Sequence, residues 1–332
     1  MRRELVLVAA AACGNVRAGS DAEIVIMASS GPPGGDMASD LVVMNLDGSA
    51  RAQLTHDHAL EFLPHFSPDA TALVYTKFRR GTYGSTDALT DIARYDFATG
   101  EERLLTDRGD AAQAAWSPDG RELAFLVHPP GGPTELWRMD ADGGHARVVA
   151  RSSGTADDEL WGDLAWSSDD WILFVVAEQI QGPCFKTRLD KIRPDGTGRV
   201  KVSDGGASCT PTGMEQSGDA DPGFSADGST IYTSRGLPRA PAGAQPPVTE
   251  RKLVALSADP WTPDKRELDL SLPAHPDCIE GVPKGSPDGT RILVFRACFD
   301  VPTPGGVYVA EADGSTRTFI AEGFGPDWNP TR

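Results

Sequence analysis

The hydrophobic and polar positions of this chain form a pattern that repeats along most of its length. Each unit has an aromatic or small residue, then Ser-Pro-Asp-Gly or a close variant, then a run of branched and aromatic residues. Such runs favour β-strands, and Pro-Asp-Gly supplies a tight turn before them. The serine of the turn, or the asparagine of the last unit, recurs at Ser67, Ser117, Ser167, Ser225, Ser286 and Asn329. Periods of this length are typical of solenoids and propellers.

A second turn signal in each unit sets the number of strands. This second signal follows the first turn by about 23 to 32 residues. It reads Asp142-Gly143, Asp195-Gly196 and Asp313-Gly314, and looser equivalents occur in the other units. Two hairpins give four strands, which is the content of a propeller blade. The first unit lacks a Ser-Pro-Asp element, and the stretch 326–330 can supply its missing innermost strand. The pattern therefore predicts an all-β fold, a six-bladed β-propeller of four-stranded blades, closed by the C-terminal strand joining the first blade.

These repeats resemble those of the TolB-like propeller family. The resemblance rests on Ser-Pro-Asp-Gly after Trp or Phe, on the later Asp-Gly, and on the segments 43–49 and 53–55. It covers residues 21–332 and implies a single propeller domain. In the family, TolB itself is a periplasmic protein that binds a peptidoglycan-associated lipoprotein, so the resemblance also implies a protein or cell-envelope partner. Other relatives carry a peptidase domain, but this sequence has no Gly-x-Ser-x-Gly motif.

Composition narrows the choice of partner. The 332 residues include 48 acidic and 31 Lys or Arg side chains, a net charge of −17, and the mean hydropathy is −0.30. Such a surface repels phosphate backbones and anionic membranes, so nucleic acid is not an expected partner. A basic protein, a cation or a neutral ligand remains compatible with this charge. We expect a monomer without a resident cofactor, while leaving a divalent cation open.

Residues 1–20 have the features of an export signal. Met1-Arg2-Arg3 precedes the apolar run 5–12, and small residues and Cys13 follow. A basic start, an apolar core and small residues before a cleavage point describe a secretory signal. Ala10-Ala11-Ala12-Cys13 also resembles a lipobox, in which Cys13 would be lipidated. We therefore expect an exported protein, periplasmic or at the cell surface, either free or anchored by a lipid on Cys13.

The four other cysteines fit an exported protein, because disulfides persist in oxidising compartments. Four cysteines allow three pairings, and metal binding is a rival explanation, although no CxxC spacing occurs. Cys278 and Cys298 are symmetric about the turn at Asp288, and Cys184 and Cys209 about the turn 194–198. Residues so placed are cross-strand neighbours in a hairpin. The sequence predicts the pairs Cys184–Cys209 and Cys278–Cys298.

Strand alternation divides the connections between two faces. The Ser-Pro-Asp-Gly and Asp-Gly turns belong to one face, and the long segments 29–39, 79–90, 177–186, 235–249 and 300–306 belong to the other. Loops on a rigid scaffold concentrate binding residues. The residue entering each innermost strand should lie at the channel mouth on this loop-rich face. These six candidate ligand-binding residues are Glu61, Asp110, Trp161, Asp219, Glu280 and Glu322.

Two readings of this acidic set remain open. It could attract a basic peptide, an ammonium group or a metal ion, with Trp161 stacking on the ligand, or the acids could stand there by chance and satisfy loop amides. The turn aspartates and the tryptophans before the turns are assigned to structure. No catalytic residue is assigned. The favoured function is an exported, non-catalytic recognition module. The alternative is a propeller enzyme, a polysaccharide lyase or hydrolase that uses channel-mouth carboxylates with or without a divalent metal.

Overall fold

The computed structural model describes residues 21–30, 38–57, 59–155, 158–181, 184–205, 217–238, 249–271, 278–298 and 305–332. The described residues form 24 strands, numbered here in chain order. Every blade is an antiparallel sheet of four strands, given below from the innermost to the outermost. No helix within these residues has the length and apolar character needed to cross a membrane.

The first three blades use the N-terminal strands and the last strand of the chain. Blade 1 contains β24 (Phe324–Trp328), β1 (Ile24–Ser29), β2 (Ser39–Met44) and β3 (Ala52–Gln53). Blade 2 contains β4 (Leu60–Phe66), β5 (Ala72–Arg80), β6 (Leu89–Asp96) and β7 (Glu101–Leu104). Blade 3 contains β8 (Ala111–Trp116), β9 (Glu122–Val127), β10 (Glu135–Asp140) and β11 (Arg147–Arg151).

The remaining blades follow the same order. Blade 4 contains β12 (Glu159–Trp166), β13 (Ile172–Gln181), β14 (Cys184–Ile192) and β15 (Val200–Lys201). Blade 5 contains β16 (Ser217–Phe224), β17 (Thr230–Pro238), β18 (Thr249–Ser257) and β19 (Glu267–Asp269). Blade 6 contains β20 (Cys278–Gly285), β21 (Arg291–Cys298), β22 (Gly306–Glu311) and β23 (Thr318–Ala321).

The two ends of the described chain meet in blade 1, as predicted. Strand β24 pairs with β1 in antiparallel register, Ile24 opposite Trp328. The indole Nε1 of Trp328 donates to the carbonyl of Lys284 in blade 6 at 2.8 Å. Trp116 makes the equivalent bond from blade 3 to the carbonyl of His65 in blade 2 at 3.1 Å. Blade 1 therefore follows blade 6 with the geometry by which blade 3 follows blade 2.

The hydrophobic core lies between blades. Buried residues form six clusters in the described part of the chain, and each cluster joins two neighbouring blades. The cluster between blades 6 and 1, for example, combines Leu293 and Val307 with Ile24, Ile26 and Val42. Strands that are apolar on both faces follow from this packing, because both faces of a blade are covered by its neighbours.

The Ser-Pro-Asp turns are held by one repeated set of hydrogen bonds. In blade 2, the Ser67 hydroxyl donates to Asp69 at 2.7 Å and accepts the backbone N–H of Ala72 at 3.0 Å. The same serine–aspartate bond recurs in the other turns, at Ser117–Asp119, Ser167–Asp169, Ser225–Asp227 and Ser286–Asp288. The hydrogen bond from Ser225 lowers the pKa of Asp227 to about 2. The prediction that these aspartates are structural fits this geometry.

The predicted disulfide between Cys278 and Cys298 is present. The two residues are direct cross-strand partners in β20 and β21, with Cα atoms 4.0 Å apart. Cys209, the predicted partner of Cys184, lies outside the described residues, as does the segment 1–20 with Cys13.

Removal of the disulfide should destabilise blade 6. The crosslink spans 20 residues of sequence, and opening a loop of that length is expected to cost about 3 kcal/mol. The double variant Cys278→Ser/Cys298→Ser should therefore show a lower urea midpoint, with a larger m-value because the unfolded chain without the crosslink is more expanded. Wild-type protein treated with reductant should shift in the same direction and at least as far, because reductant would also open the predicted Cys184–Cys209 pair. An unchanged midpoint in both samples would contradict the prediction.

Candidate functional site

Every innermost strand bends at one residue with a left-handed backbone. The φ angles there are +51° to +73°, and the register of all six strands shifts at this point. Such bulges redirect a side chain out of the regular alternation of the strand. The positions lie four residues before the turn serine or asparagine, or five in blade 4, at Leu63, Gln113, Gly162, Asp221, Val282 and Gly325. These residues surround the channel at one level, which we call the waist.

Two of these bulges are held against the steric preference of their side chains. Val282 is β-branched and has φ of +52°, and Leu63 has φ of +53°. Non-glycine residues at such angles cost of order 1 kcal/mol or more each, and a β-branched residue is rarely found there. The surrounding sheet fixes the bend in all blades, whether or not the sequence supplies glycine.

A cavity of about 680 Å³ opens above the waist on the loop-rich face. Its lining comes from the loop-side ends of blades 1, 2, 5 and 6, and we call it the loop-side cavity. Aromatic rings form one wall: Phe62 stacks on Phe324 with centroids 6.3 Å apart, and Phe324 meets Phe295 edge-on at 4.7 Å. Tyr83 packs on Phe62 at 5.4 Å and remains 62% exposed. An exposed aromatic side chain in a concave apolar site is typical of a recognition surface.

Asp221 forms part of the floor of this cavity. It accepts hydrogen bonds from the Ser234 hydroxyl at 2.7 Å, from the Val282 backbone N–H at 3.4 Å and from Arg251 at 3.5 Å. Asp163 of blade 4 lies beside it, close enough for the two carboxyls to share a hydrogen bond when one is protonated. Gln113 Nε2 donates to Asp163 Oδ1 at 3.3 Å. The waist is therefore crossed by polar side chains from blades 3, 4 and 5.

A second cavity, of about 440 Å³, lies at the opposite end of the channel. All six blades contribute to it through the residues around the Ser-Pro-Asp turns, and tryptophans and prolines supply much of its surface. Asp327, His65 and Lys284 face one another at its inner end, and His65 Nδ1 lies 3.7 Å from Asp327. Burial, and then the charge of Lys284, lowers the pKa of His65, so this histidine is neutral at pH 7. The sequence places tight turns at this face and gives no indication of this cavity.

The six predicted channel-mouth residues do not form one ring. Three of them lie opposite a basic residue on the second strand of the same blade: Glu61 opposite Lys77, Asp219 opposite Arg235, and Glu280 opposite Arg296. Glu61 and Asp219 have no exposed surface and Glu280 is 5% exposed. Glu61 and Asp219 are thus not at an open mouth, because their carboxylates turn into the blades and are paired there. Glu280 is also paired, with Arg296 and Arg317.

The other three candidates occupy different surroundings. Asp110 forms an ion pair with Arg108 at 2.9 Å. Trp161 is half-buried in β12 opposite Val175, and it makes interactions with its surroundings. Glu322 and Glu280 both line the loop-side cavity. Of the six candidates, Glu322 alone is exposed. A role of these residues in binding stays a prediction.

Lys77 occupies the centre of the one group of three potential metal ligands found among the described residues. The group is Asp57, Glu61 and Glu102. Lys77 Nζ lies 2.5 Å from Asp57, 2.5 Å from Glu102 and 3.7 Å from Glu61. The ammonium group fills the position that an ion would take, so this group does not fit a metal centre while Lys77 is present.

The carboxyl pair of the waist carries no recognisable sequence signal. Asp163 and Asp221 are separated by 58 positions, and neither follows a motif. A count backwards from the turn serine, which finds the bulge in most blades, is the one rule that could have located them. Regular alternation along the strand would assign the wrong orientation to these two side chains, because the bulge interrupts the alternation.

Comparisons with known proteins agree with this architecture. No protein-family model matches the chain. The Tol-Pal system protein TolB of Anaeromyxobacter dehalogenans (strain 2CP-C) is 28% identical over 122 residues, which are 37% of this chain and 26% of that protein. The crystal structure of TolB from Acinetobacter baumannii aligns with a TM-score of 0.63 at 17% identity, over 92% of this chain and 66% of that one. The chain therefore resembles TolB in sequence over part of its length and has the β-propeller fold.

Other relatives of this TolB-like propeller have different names. The Uncharacterized peptidase YuxL of Bacillus subtilis (strain 168) is 26% identical over 211 residues, 55% of this chain and 30% of that protein. A structure of oligogalacturonate lyase in complex with manganese aligns with a TM-score of 0.50 at 17% identity, over 87% of this chain and 71% of that one. Likeness at this level of identity concerns the fold alone.

The sequence matches extend over only part of the curated relatives. This TolB-like propeller spans 26 to 30% of the length of the proteins that it matches. The matched region corresponds in size to a few blades. The activities and partners of the whole relatives are therefore treated below as proposals.

Proposed function

We propose that this protein is an exported, non-catalytic recognition module that binds a protein or cell-envelope component in the loop-side cavity. The observation that carries the proposal is the aromatic wall of that cavity, in which Tyr83 remains 62% exposed above Phe62. Large aromatic side chains in concave, partly desolvated sites supply much of the binding energy of protein interfaces. The similarity to proteins named Tol-Pal system protein TolB supports a partner of the same general class.

Export is supported by two independent features. The Cys278–Cys298 disulfide is typical of oxidising compartments, such as the periplasm or the cell surface. The basic start and apolar run of residues 1–12 have the pattern of a secretory signal. Both features fit a periplasmic or surface location, with the lipidated form through Cys13 as one version of the proposal.

Replacing Tyr83 tests the site with little risk to the fold. Because the side chain is mostly exposed, Tyr83→Ala should leave the free energy of unfolding within about 0.5 kcal/mol of wild type. Loss of a hot-spot tyrosine should weaken partner binding by about thirtyfold, or about 2 kcal/mol. The measurement is crosslinking and affinity capture from an envelope fraction, followed by titration of the captured protein.

Leu268→Ala provides the matched control. Leu268 is an exposed apolar residue, 56% accessible, on the outermost strand of blade 5 and away from the channel. The control should retain wild-type affinity. Equal affinity of wild type, Tyr83→Ala and Leu268→Ala for the captured partner would reject the loop-side cavity as its binding site.

A further inference from the structure

Two carboxyls meet at the waist, and when both are ionised one of their oxygens receives no hydrogen bond from the described residues. Asp163 is 5% exposed, and its Oδ2 is buried without a hydrogen-bond partner among the described residues. The donors of the waist are directed elsewhere: Gln113 to Asp163 Oδ1, and Ser234, Val282 and Arg251 to Asp221. A buried acceptor without a donor costs about 1–3 kcal/mol. A ligand that supplies N–H groups at this position would remove that cost.

The approach to the carboxyl pair is apolar and aromatic. Asp221 lies at the floor of the loop-side cavity, and the Phe62, Phe295 and Phe324 rings lie above it. Tyr83 lines the same cavity as Asp221. Desolvation of the phenol, and then the negative charges of Asp163 and Asp221, raise the pKa of Tyr83. Aromatic faces attract cations, and apolar walls accept an alkyl stem.

We propose that the waist binds a primary ammonium or guanidinium group carried on an apolar stem, which enters through the loop-side cavity and donates N–H groups to Asp163 and Asp221. A trimethylammonium group has the same charge but no N–H group. It can therefore contact the aromatic wall but cannot donate a hydrogen bond to Asp163 Oδ2. In a protein partner, a lysine or arginine side chain has the required chemistry. The identity of that partner segment rests on the proposed function, whereas the site itself does not.

A proton competes with the bound cation. Burial, and then the negative charge of Asp221, raises the pKa of Asp163 to about 7. Lys284 opposes the rise from the turn side, and Gln113 opposes it through its hydrogen bond. Arg251 and Tyr83 face the pair from the loop side. At low pH one proton is held between the carboxyls, and at higher pH the cation can replace it.

The test uses n-pentylammonium as the probe, with n-pentyltrimethylammonium as its matched control. Binding to the full chain is measured by nuclear magnetic resonance titration and by the shift in thermal unfolding, at pH 5.5 and pH 8. We expect millimolar affinity for n-pentylammonium, at least tenfold weaker binding of the trimethyl probe, and about tenfold tighter binding of n-pentylammonium at pH 8 than at pH 5.5. Equal affinity for the two probes would overturn the proposal.

Two variants locate the bound group. Asp163→Asn should bind n-pentylammonium at least tenfold more weakly than wild type, with an affinity that no longer depends on pH. The variant should still fold, because asparagine matches the shape of the buried side chain. Glu101→Gln removes an exposed acid on the outermost strand of blade 2, outside the loop-side cavity, and should retain wild-type affinity within a factor of about two. Wild-type affinity of Asp163→Asn for n-pentylammonium would overturn the assignment.

Outcomes for the partner are separable from outcomes for the probe. If n-pentylammonium binds as expected but the Asp163→Asn variant captures its partner with wild-type affinity, the cation site stands and the partner does not use it. If Tyr83→Ala leaves partner capture unchanged while the probe still binds, only the proposed function fails. Thermal stabilisation by Ca²⁺ or Mn²⁺ that is abolished in Asp163→Asn, without any binding of n-pentylammonium, would overturn the proposal in favour of a metal site.

Discussion

Replacing Trp328 with alanine should destabilise the folded protein by about 4 kcal/mol, which lies within the range found when large aromatic residues are removed from a core. The side chain is 6% exposed and lies in the cluster that joins blades 6 and 1. Its Nε1–H also bonds to the Lys284 carbonyl, which would be left without this donor. Urea unfolding followed by far-ultraviolet circular dichroism would measure the loss without depending on tryptophan fluorescence.

Trp166 is the matched control for this prediction, because it precedes the turn of blade 4 as Trp328 precedes the end of blade 1. Its side chain is only half-buried, and its Nε1 bonds to Asp170 within its own turn at 2.9 Å. Trp166→Ala should therefore cost about half as much, roughly 2 kcal/mol. An equal loss for the two variants would show that contact between blades 6 and 1 adds nothing at Trp328.

Lys77→Met should destabilise the protein by about 3 kcal/mol at pH 8, because it removes the cation shared by three carboxyls. Burial alone would lower the pKa of Lys77, but hydrogen bonds to Asp57 and Glu102 raise it above the usual value. Burial also raises the pKa of Glu61 to about 8, although Thr55 and Lys77 oppose the rise. Without Lys77, repulsion among the acids raises the folded-state pKa of Glu61 further.

The loss in Lys77→Met should depend on pH in a defined direction. A carboxyl with a raised folded-state pKa binds more protons in the folded than in the unfolded state, here between its usual pKa of 4.5 and about 8. Stability therefore falls as the pH rises through this window, and the difference between variant and wild type should be larger at pH 8 than at pH 5. Urea midpoints at the two pH values measure it.

Lys252→Met is the control for the loss of a lysine charge. Lys252 forms an ion pair with Asp269 at 3.2 Å on the partly exposed outer strands of blade 5. An exposed pair of this kind contributes less than about 1 kcal/mol. A pH-independent loss of similar size in both variants would contradict the central role assigned to Lys77.

The repeated features of the fold could be predicted from sequence because each depends on local chemistry. The Ser-Pro-Asp turn is stabilised within five residues, as Ser286, Asp288 and the Arg291 N–H show. A symmetric position about one hairpin turn was enough to pair Cys278 with Cys298. The last strand could be assigned to the first blade since that blade lacked one strand of its own.

The candidate site was less predictable, because its orientation depends on tertiary packing. Regular alternation places Glu61 and Asp219 at an open mouth, yet both are buried against bases of the neighbouring strand. The bulge at Asp221 breaks the alternation and turns the chain toward the channel. Its left-handed backbone has no signature in the residue type, since leucine, glutamine, valine and glycine occupy the equivalent position in other blades.

Because the two ends of the described chain meet in blade 1, they also determine which face of the propeller would lie nearest to anything attached there. Asp21 forms an ion pair with Arg332, and Asn329 Nδ2 donates to the Ala22 carbonyl at 2.8 Å, so both ends lie beside the Ser-Pro-Asp turns. Ser29, at the far end of β1, lines the loop-side cavity. A tether joined at Asp21 would thus hold the disc by its turn side and leave the aromatic cavity pointing away from the surface to which the tether is fixed.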